Sequence, residues 1–330
     1  MGAWEELREL VEQATGPEGL RSVLTHIDKA LLARLAEECW RLRLLRHGRE
    51  LQAFRPGVRF PAISITGTRC ELRCKYCSGR YLKGMIPAET PEELWRVCVS
   101  LAERGAEGVL LSGGYTREAV LPIRPFLRTL RAIKEQLGLT LAIHPGLVDY
   151  GLAEELAAAG VDIALCELIG DRATVREALG IDRGPEDYMA SLLALREAGV
   201  PYLAPHVCLG IWGGELAGEL NALKIAREAK PEVLVLIVFI PTRGTPYADR
   251  RPPELADVAK LMAISRLMFP DVPVALGCMR PRRRPYRERL DVIAVELGLN
   301  RLVLPAKEAL KAAEERGLVV KWRDVCCALP

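Results

Sequence analysis

The chain has 330 residues, half of them apolar, with ten cysteines and a formal net charge of +3. So small a charge at this length argues against a dedicated nucleic-acid binder, and no apolar run approaches the roughly 18 residues of a membrane-spanning helix. Because no secretory signal precedes the cysteines, they favour metal binding or catalysis over disulfides, and we expect a cytoplasmic protein without nucleic-acid or membrane partners. Many Arg and Glu residues beside few Asn or Gln also suggest a thermophilic source.

Three regions follow one another along the chain. Residues 1–55 are predicted as an N-terminal helical extension, interrupted at Gly16 and Pro17. In residues 56–304 short apolar runs alternate with helical patterns, which predicts an α/β fold: a (β/α)8 TIM-type barrel, full or partial. The predicted strands are 60–65, 108–111, 139–143, 161–165, 202–209, 233–240, 272–276 and 301–304. Residues 305–330 are predicted as a C-terminal helix and a cysteine-bearing tail over the barrel mouth.

A group of three cysteines follows the first predicted strand, at the end of the barrel where active sites lie. Cys70, Cys74 and Cys77 have the spacing Cys-x3-Cys-x2-Cys. A 4Fe-4S cluster takes four ligands, so three thiolates would leave one iron open for a small molecule. A zinc site or a Cys-x-x-Cys redox pair is the alternative, but zinc would need a fourth ligand nearby. The nearest candidate, Cys98, lies on an apolar helix stripe and is interpreted as a core residue.

This spacing, with Tyr76 just before the third cysteine, resembles the signature of the radical S-adenosylmethionine (SAM) superfamily. The resemblance implies that Cys70, Cys74 and Cys77 bind a 4Fe-4S cluster and that SAM chelates the open iron. It also implies radical chemistry, in which a 5'-deoxyadenosyl radical abstracts hydrogen from an unactivated C–H bond.

Two further segments resemble parts of the same superfamily. The run Ser112-Gly113-Gly114 follows the second strand and resembles the Gly-Gly-Glu segment whose backbone holds the methionine amino group of SAM, although a tyrosine replaces the glutamate. On the fifth strand, Cys208 and Gly210 stand in a segment that resembles the one packing on adenine, with its glutamate displaced to Glu215.

Other residues near the barrel mouth extend the comparison. The turn at 241–247 resembles one in the biotin synthase branch. His144 and Glu167, and also His206, are predicted to bond the ribose, the carboxylate or the substrate, although His206 is equally well explained as a satisfied buried group.

A second cluster is a further expectation, since biotin synthases carry one as a sulfur donor. The cysteines that hold it there are absent from the strand ends of this chain. Cys278 and the pair Cys326-Cys327 could instead supply three thiolates if the tail folds over the mouth. The alternative is a frayed tail with two unremarkable thiols.

The whole pattern is most similar to a component of the two-protein lipoyl synthases, which add sulfur to an octanoyl chain on a carrier. The implied partners are an acyl-carrying protein or lipoyl domain, a second radical SAM protein, and an electron donor such as ferredoxin or flavodoxin. The arginine run 280–289 is predicted to dock the acidic carrier, or else to be a solvated loop. A radical enzyme without sulfur insertion, of the hydrogenase-cofactor maturase type, and a non-catalytic iron-sulfur partner protein remain as alternatives.

Overall fold

A computed structural model describes residues 2–329 of the chain. The strands are β1 (Glu50–Phe54), β2 (Ala62–Ser64), β3 (Ile86–Pro87), β4 (Gly108–Ser112), β5 (Thr140–Ile143), β6 (Ile163–Leu168), β7 (Tyr202–Leu209), β8 (Leu234–Val238), β9 (Val274–Leu276), β10 (Arg301–Val303) and β11 (Val319–Arg323). The α-helices are α1 (Ala3–Gln13), α2 (Gly16–His26), α3 (Lys29–His47), α4 (Pro91–Glu103), α5 (Leu127–Ala132), α6 (Tyr150–Ala158), α7 (Arg172–Leu179), α8 (Pro185–Glu197), α9 (Glu219–Glu228), α10 (Leu255–Met268), α11 (Tyr286–Glu296) and α12 (Lys307–Glu315). Among these residues no helix is both long and apolar enough to cross a bilayer.

All strands belong to one curled parallel sheet in the order β11-β1-β10-β9-β8-β7-β6-β5-β4-β2-β3. The eight predicted strands are confirmed and lie side by side as β2 and β4 to β10. The sheet does not close into a full barrel, because β1 pairs with the edge of β10 that would otherwise meet β2. The expected TIM-like α/β architecture is therefore present in its partial, open form.

The N-terminal region differs from the prediction at its end. The helical extension is present, but a second break after His26 divides it into three helices instead of the two that one interruption predicts. Glu50–Phe54 is a strand of the sheet and not a helix. It was missed because its hydrogen-bonding partners, β10 and β11, lie at the other end of the sequence. The helices pack on the outside of the sheet, where the Cys39 thiol contacts the Ala263 carbonyl oxygen of α10 at 3.5 Å. Cys39 is thus a core residue.

Helix α4, the first within the barrel region, begins with reciprocal hydrogen bonds between Thr90 and Glu93. The Glu93 amide donates to Thr90 Oγ1 at 3.2 Å, and the Thr90 amide donates to Glu93 Oε2 at 3.2 Å. This reciprocal capping box satisfies two amides that the helix itself cannot use. Helix α4 therefore starts at a defined residue, Pro91, shortly after β3.

Alternation along each strand separates the helix-covered face from the concave face, which we call the lumen. On β6, Cys166 and Leu168 pack under the helices, whereas Leu165 belongs to the lumen cluster and Glu167 follows it on the same side. On β7, Ala204 faces the lumen, and His206 has the same parity along the strand. Parallel strands end at one edge, so the polar residues of the lumen gather at the mouth.

The tail enters the lumen and is not frayed. Val325, Cys327 and Ala328 are buried there against Phe54 and Phe60. Arg301 on β10 donates from Nη1 to two tail carbonyl oxygens, those of Cys327 at 2.7 Å and Leu329 at 2.5 Å. The strand β11 lies directly before the tail and runs parallel to β1, which places the tail at the mouth end of the sheet.

Candidate active site

The three-cysteine loop leaves β2 and folds tightly on itself. The Cys77 amide donates to the Cys74 carbonyl oxygen at 3.1 Å, and the Ser78 amide donates to the same oxygen at 2.8 Å. Arg73 and Ser78 adopt positive φ angles of 46° and 49°, which turn the backbone back after each short step. Cys74 and Cys77 are therefore held on one compact turn.

The thiols lie in a partly desolvated setting. Cys74 is 6% exposed, whereas Cys70 and Cys77 are half-buried. Burial, and then the neighbouring Cys77, Glu167 and Cys70, raise the pKa of the Cys74 thiol. Burial also raises the pKa of Cys77 to about 11, against the effect of a hydrogen bond from the Gly79 amide. The cysteines are close enough to affect one another electrostatically, although within residues 2–329 no three metal-ligating side chains already converge on one point.

The glycine pair after β4 packs directly against this loop. A Cβ on Gly114 would lie 1.9 Å from the Arg69 carbonyl oxygen and 2.5 Å from Cys70 Cα, so only glycine fits there. The Gly114 amide donates to Thr66 Oγ1 at 2.6 Å. The Gly114 amide is therefore already hydrogen-bonded within the protein. The carbonyl oxygens of Gly113 and Gly114 are the backbone groups that could accept a hydrogen bond from an ammonium ligand. Thr66 was not singled out from the sequence, because a threonine carries no motif of its own.

A cavity of about 660 Å³ opens at this junction. Cys70, Gly79, Gly114 and Tyr115 line it, together with Thr66. The cysteine thiols are soft donors of the kind that bind iron-sulfur clusters. The backbone at Gly114 approaches Cys70 closely, and the cavity beside Cys70 is open. This arrangement fits a cluster in which one iron is left for a small ligand.

Glu167 is a half-buried carboxyl beside the thiol loop. The Tyr76 hydroxyl donates to its Oε1 at 3.3 Å, and burial raises the pKa of Glu167 to about 7. Its carboxylate has no ion-pair partner among the described residues. Glu167 is therefore available to accept a hydrogen bond from a ligand hydroxyl at the mouth.

His144 and His206 form an edge-to-face ring pair in the lumen, with centroids 5.5 Å apart. Nδ1 of His144 contacts the Leu165 carbonyl oxygen at 3.1 Å, and Nδ1 of His206 contacts the Ala204 carbonyl oxygen at 2.8 Å. Burial lowers the pKa of His144 to about 4 and that of His206 to about 3. Both rings are thus neutral with Nδ1 as the donor, which leaves each Nε2 as an acceptor.

The segment after β7 is held by a different glutamate from the one expected. Oε1 of Glu219 accepts from the Gly210 amide at 2.9 Å, and its Oε2 accepts from the Ala217 amide at 2.8 Å. The backbone of Glu215 instead forms an isolated antiparallel β-bridge with Trp212 within the loop. Gly210 has a φ of 78°, which favours glycine, and Cys208 on the same strand is half-buried. A glutamate opening a helix after a glycine was the available signal for Glu219.

The second set of thiols lies close together on the lumen side. The Cys327 thiol donates towards Cys326, which lowers the pKa of Cys326 and raises that of Cys327. Cys278 follows β9 and is exposed. Desolvation by the surrounding protein nevertheless raises the pKa of its thiol, and the nearby Cys326 raises it further. Cys278 and Cys326 are thus near enough to interact electrostatically, but within residues 2–329 no three metal-ligating side chains converge, and a shared auxiliary site stays a prediction.

The arginine run is only partly a solvated surface. Arg280 is fully buried and pairs with Asp291, with Nε–Oδ1 at 2.8 Å and Nη2–Oδ2 at 3.0 Å. Arg287 also donates to Asp291 at 2.9 Å. The prediction that the whole run faces solvent is therefore wrong for Arg280 and Arg287. Their guanidinium groups bind the buried carboxylate of Asp291 on α11. The exposed members are Arg282, Arg283, Arg284 and Arg289.

A sequence profile of the Radical SAM superfamily matches residues 64–216, the segment that contains the three-cysteine loop and Gly210. Biotin synthases are similar in sequence. The protein from Halorhodospira halophila is 28% identical over 254 residues, which cover 73% of this chain and 74% of its own. That from Bordetella avium is 26% identical over 247 residues, covering 70% and 72%.

Solved structures of low sequence identity share the fold. Methylornithine synthase superposes with a TM-score of 0.65 at 19% identity, covering 96% of this chain and 97% of its own. The FeFe-hydrogenase maturase HydG from Carboxydothermus hydrogenoformans gives 0.63 at 14% identity, covering 96% and 79%. Radical SAM proteins use a 4Fe-4S cluster and SAM, and biotin synthases carry a second cluster. Residues 64–216 of this chain therefore form a Radical SAM domain, and biotin synthases are among the proteins similar to it in sequence.

Proposed function

We propose that this enzyme is a sulfurtransferase that inserts sulfur into an unactivated C–H bond, on an octanoyl chain held by a carrier protein, as a lipoyl synthase component does. The observation that carries the proposal is the tail. Cys327 is buried in the lumen, and Cys326 packs there close enough to influence Cys278 electrostatically.

Cys70, Cys74 and Cys77 would hold the cluster that binds SAM. That cluster, when present, supplies the electron that generates a carbon-centred radical from SAM. The chain's own part is to bind and orient. The carbonyl oxygens of Gly113 and Gly114 would accept from the amino group of SAM. Glu167, oriented by the Tyr76 hydroxyl, would accept from a ribose hydroxyl. Gly210, held by Glu219, would keep the β7 loop near the adenine.

Cys278, Cys326 and Cys327 would hold an auxiliary cluster, which supplies the sulfur. Arg301 positions the terminal pair by holding the carbonyl oxygens of Cys327 and Leu329. Leu110 and Ile237 add partly buried apolar surface to the lumen, which suits an alkyl chain. The exposed arginines of the run begin beside Cys278, where an acidic carrier domain would deliver that chain.

Iron counting after anaerobic reconstitution tests the two sites. Replacing Cys70, Cys74 and Cys77 together by alanine should abolish the formation of 5'-deoxyadenosine and leave one cluster's worth of iron. Adding Cys326→Ala and Cys327→Ala should remove the remaining iron. Cys98→Ala is the matched control, because this thiol is buried on α4, and it should change neither readout. An iron-free triple variant would refute the auxiliary site, and wild-type protein that forms no 5'-deoxyadenosine would leave only the non-catalytic iron-sulfur alternative.

A radical reaction without sulfur insertion is the second candidate. The ring pair of His144 and His206 beside Glu167 favours it, because these polar groups suit a polar substrate better than an alkyl chain. Reconstitution with isotopically labelled sulfide separates the two. Label in the product supports sulfur insertion, and an unlabelled product formed with stoichiometric 5'-deoxyadenosine supports the second candidate.

A further inference from the structure

Both residues between the second and third cysteines of the loop are held by a glutamate. The Tyr76 hydroxyl bonds Glu167 on β6, inside the site already described. Lys75 instead reaches α7, where its Nζ donates to Glu177 Oε1 at 2.7 Å. Glu177 lies in the last turn of that helix, and its contact with Lys75 is open to solvent. The cysteine loop is therefore held from its solvent side as well as from within the site.

The backbone of Lys75 is held at both of its polar groups. Its amide donates to the Ala178 carbonyl oxygen at 2.8 Å, and its carbonyl oxygen accepts from the Tyr247 amide at 3.3 Å. Ala178 follows Glu177 on α7, and its carbonyl oxygen is one of those at a helix end that have no partner within the helix. Tyr247 belongs to the loop after β8. Lys75 is thus the residue at which three separate segments of the chain meet.

Glu177 completes this contact because it also binds the tyrosine. The Tyr247 hydroxyl donates to the same Oε1 atom at 3.4 Å. Tyr247 is buried, and its ring packs edge to face on Phe239 with centroids 5.9 Å apart. The hydrogen bond from Lys75 lowers the pKa of Glu177, so its carboxylate is charged at neutral pH. One carboxylate oxygen therefore accepts from both the cysteine loop and the loop after β8.

An ion pair at a protein surface usually adds little to global stability. The side chains of Lys75 and Glu177 are 42% and 39% exposed, so solvent screens their attraction. This pair differs from others at the surface in its position, because Lys75 directly follows Cys74 and its backbone bonds involve the same two segments. We therefore expect the pair to affect the local geometry of the turn more than the free energy of unfolding of the whole chain.

We infer that Glu177 is a positioning residue for the three-cysteine loop. Through Lys75 and Tyr247 it fixes the turn that carries the second and third cysteines, and it does so before any cluster is bound. The thiols then need not be ordered when a cluster is received, and groups that orient the ligands of a metal centre raise its affinity for the metal. The inference rests on the cluster assigned to these thiols under the proposed function but not on sulfur insertion.

Glu177→Gln tests this role, since it keeps the size of the side chain and removes its charge. The matched control is Glu186→Gln, which makes the same change at an exposed carboxylate that pairs with Arg172 at the opposite end of α7. Amide hydrogen exchange of the apoprotein is measured for residues 75–78, whose hydrogen bonds close the turn. In a second measurement, the release of iron from the reconstituted protein to a chelator is timed.

In Glu177→Gln, exchange at residues 75–78 should be about threefold faster than in wild type, the size of effect expected when an exposed ion pair is lost. Iron release should accelerate in parallel, whereas exchange on β6 and β7 and the Tm should stay near wild type. The control should leave every readout near wild type. Adding Glu177→Lys to Lys75→Glu should recover slower exchange than Lys75→Glu alone, because the reversed pair can form again.

Equal exchange at residues 75–78 in the two Gln variants would overturn the inference, and so would unchanged iron release in Glu177→Gln. A wild-type protein that takes up no iron would instead refute the proposed function. In that case the exchange of the apoprotein would still decide whether Glu177 orders the turn.

Discussion

The buried ion pair between Arg280 and Asp291 gives the sharpest stability prediction. Neither side chain has any solvent exposure. Asp291→Asn keeps the volume but removes the charge, so the Arg280 guanidinium is left buried without a counter-ion. Breaking one partner of such a pair typically costs about 3–5 kcal/mol.

The same cost can be expressed as a change in melting temperature. An unfolding entropy of about 2.1 cal/mol/K per residue over this chain corresponds to roughly 0.7 kcal/mol/K, so we expect the Tm to fall by about 4–7 °C. Differential scanning calorimetry of the apoprotein measures this directly.

Two further variants separate charge burial from general damage to α11. Arg287→Met removes the more exposed partner of Asp291 and leaves the buried pair intact, so it should cost about 1 kcal/mol or less. The double change Arg280→Met with Asp291→Leu should recover much of the loss, because an apolar pair needs no counter-charge. A Tm for Asp291→Asn within about one degree of wild type would refute the reasoning.

Two other predictions concern the mouth. Gly114→Ala should push the backbone at Arg69 away and lower the iron retained after reconstitution, whereas Gly84→Ala, which has open space around it, should not; equal iron contents would contradict the close approach. Burial raises the pKa of the Glu219 carboxyl to about 7, above its value in the unfolded chain. Its favourable contribution to folding is therefore complete at acidic pH and is lost as the pH rises through about 7. Glu219→Gln should be less stable overall but should lose less stability than wild type between pH 5 and 8, as followed by thermal unfolding; parallel pH profiles would contradict this assignment.

The sequence predicted the strands well because of where they lie. Strands buried on both faces are near-continuous apolar runs, as at 202–209 and 233–240, and their pattern depends on burial alone. β1 was missed because Glu50–Phe54 is short and becomes a strand only through partners far along the chain. A local pattern cannot report such pairing.

The site shows the same division. Cysteine spacing is a local property, and the turn that holds Cys74 and Cys77 follows directly from it. By contrast, the path of a loop decides whether Glu215 or Glu219 binds the Gly210 amide. Glu219 binds it, because this residue is the first of α9 and lies next to Gly210 in the fold. Likewise, the six arginines of the run look alike in the sequence, and only the fold shows that two of them, Arg280 and Arg287, bind Asp291 on α11.

The position of β1 between β10 and β11 has a consequence for the order of assembly. β1 is made early but gains its neighbours only when the segments beginning at Arg301 and Val319 have been made. Pairings of such long sequence separation form late, since the closure of a long loop must precede them. Cys326 and Cys327 follow β11 directly, so they reach the lumen only after the rest of the sheet exists. The fold thus implies an order of assembly, in which the three-cysteine loop can form before Cys326 and Cys327 reach the lumen.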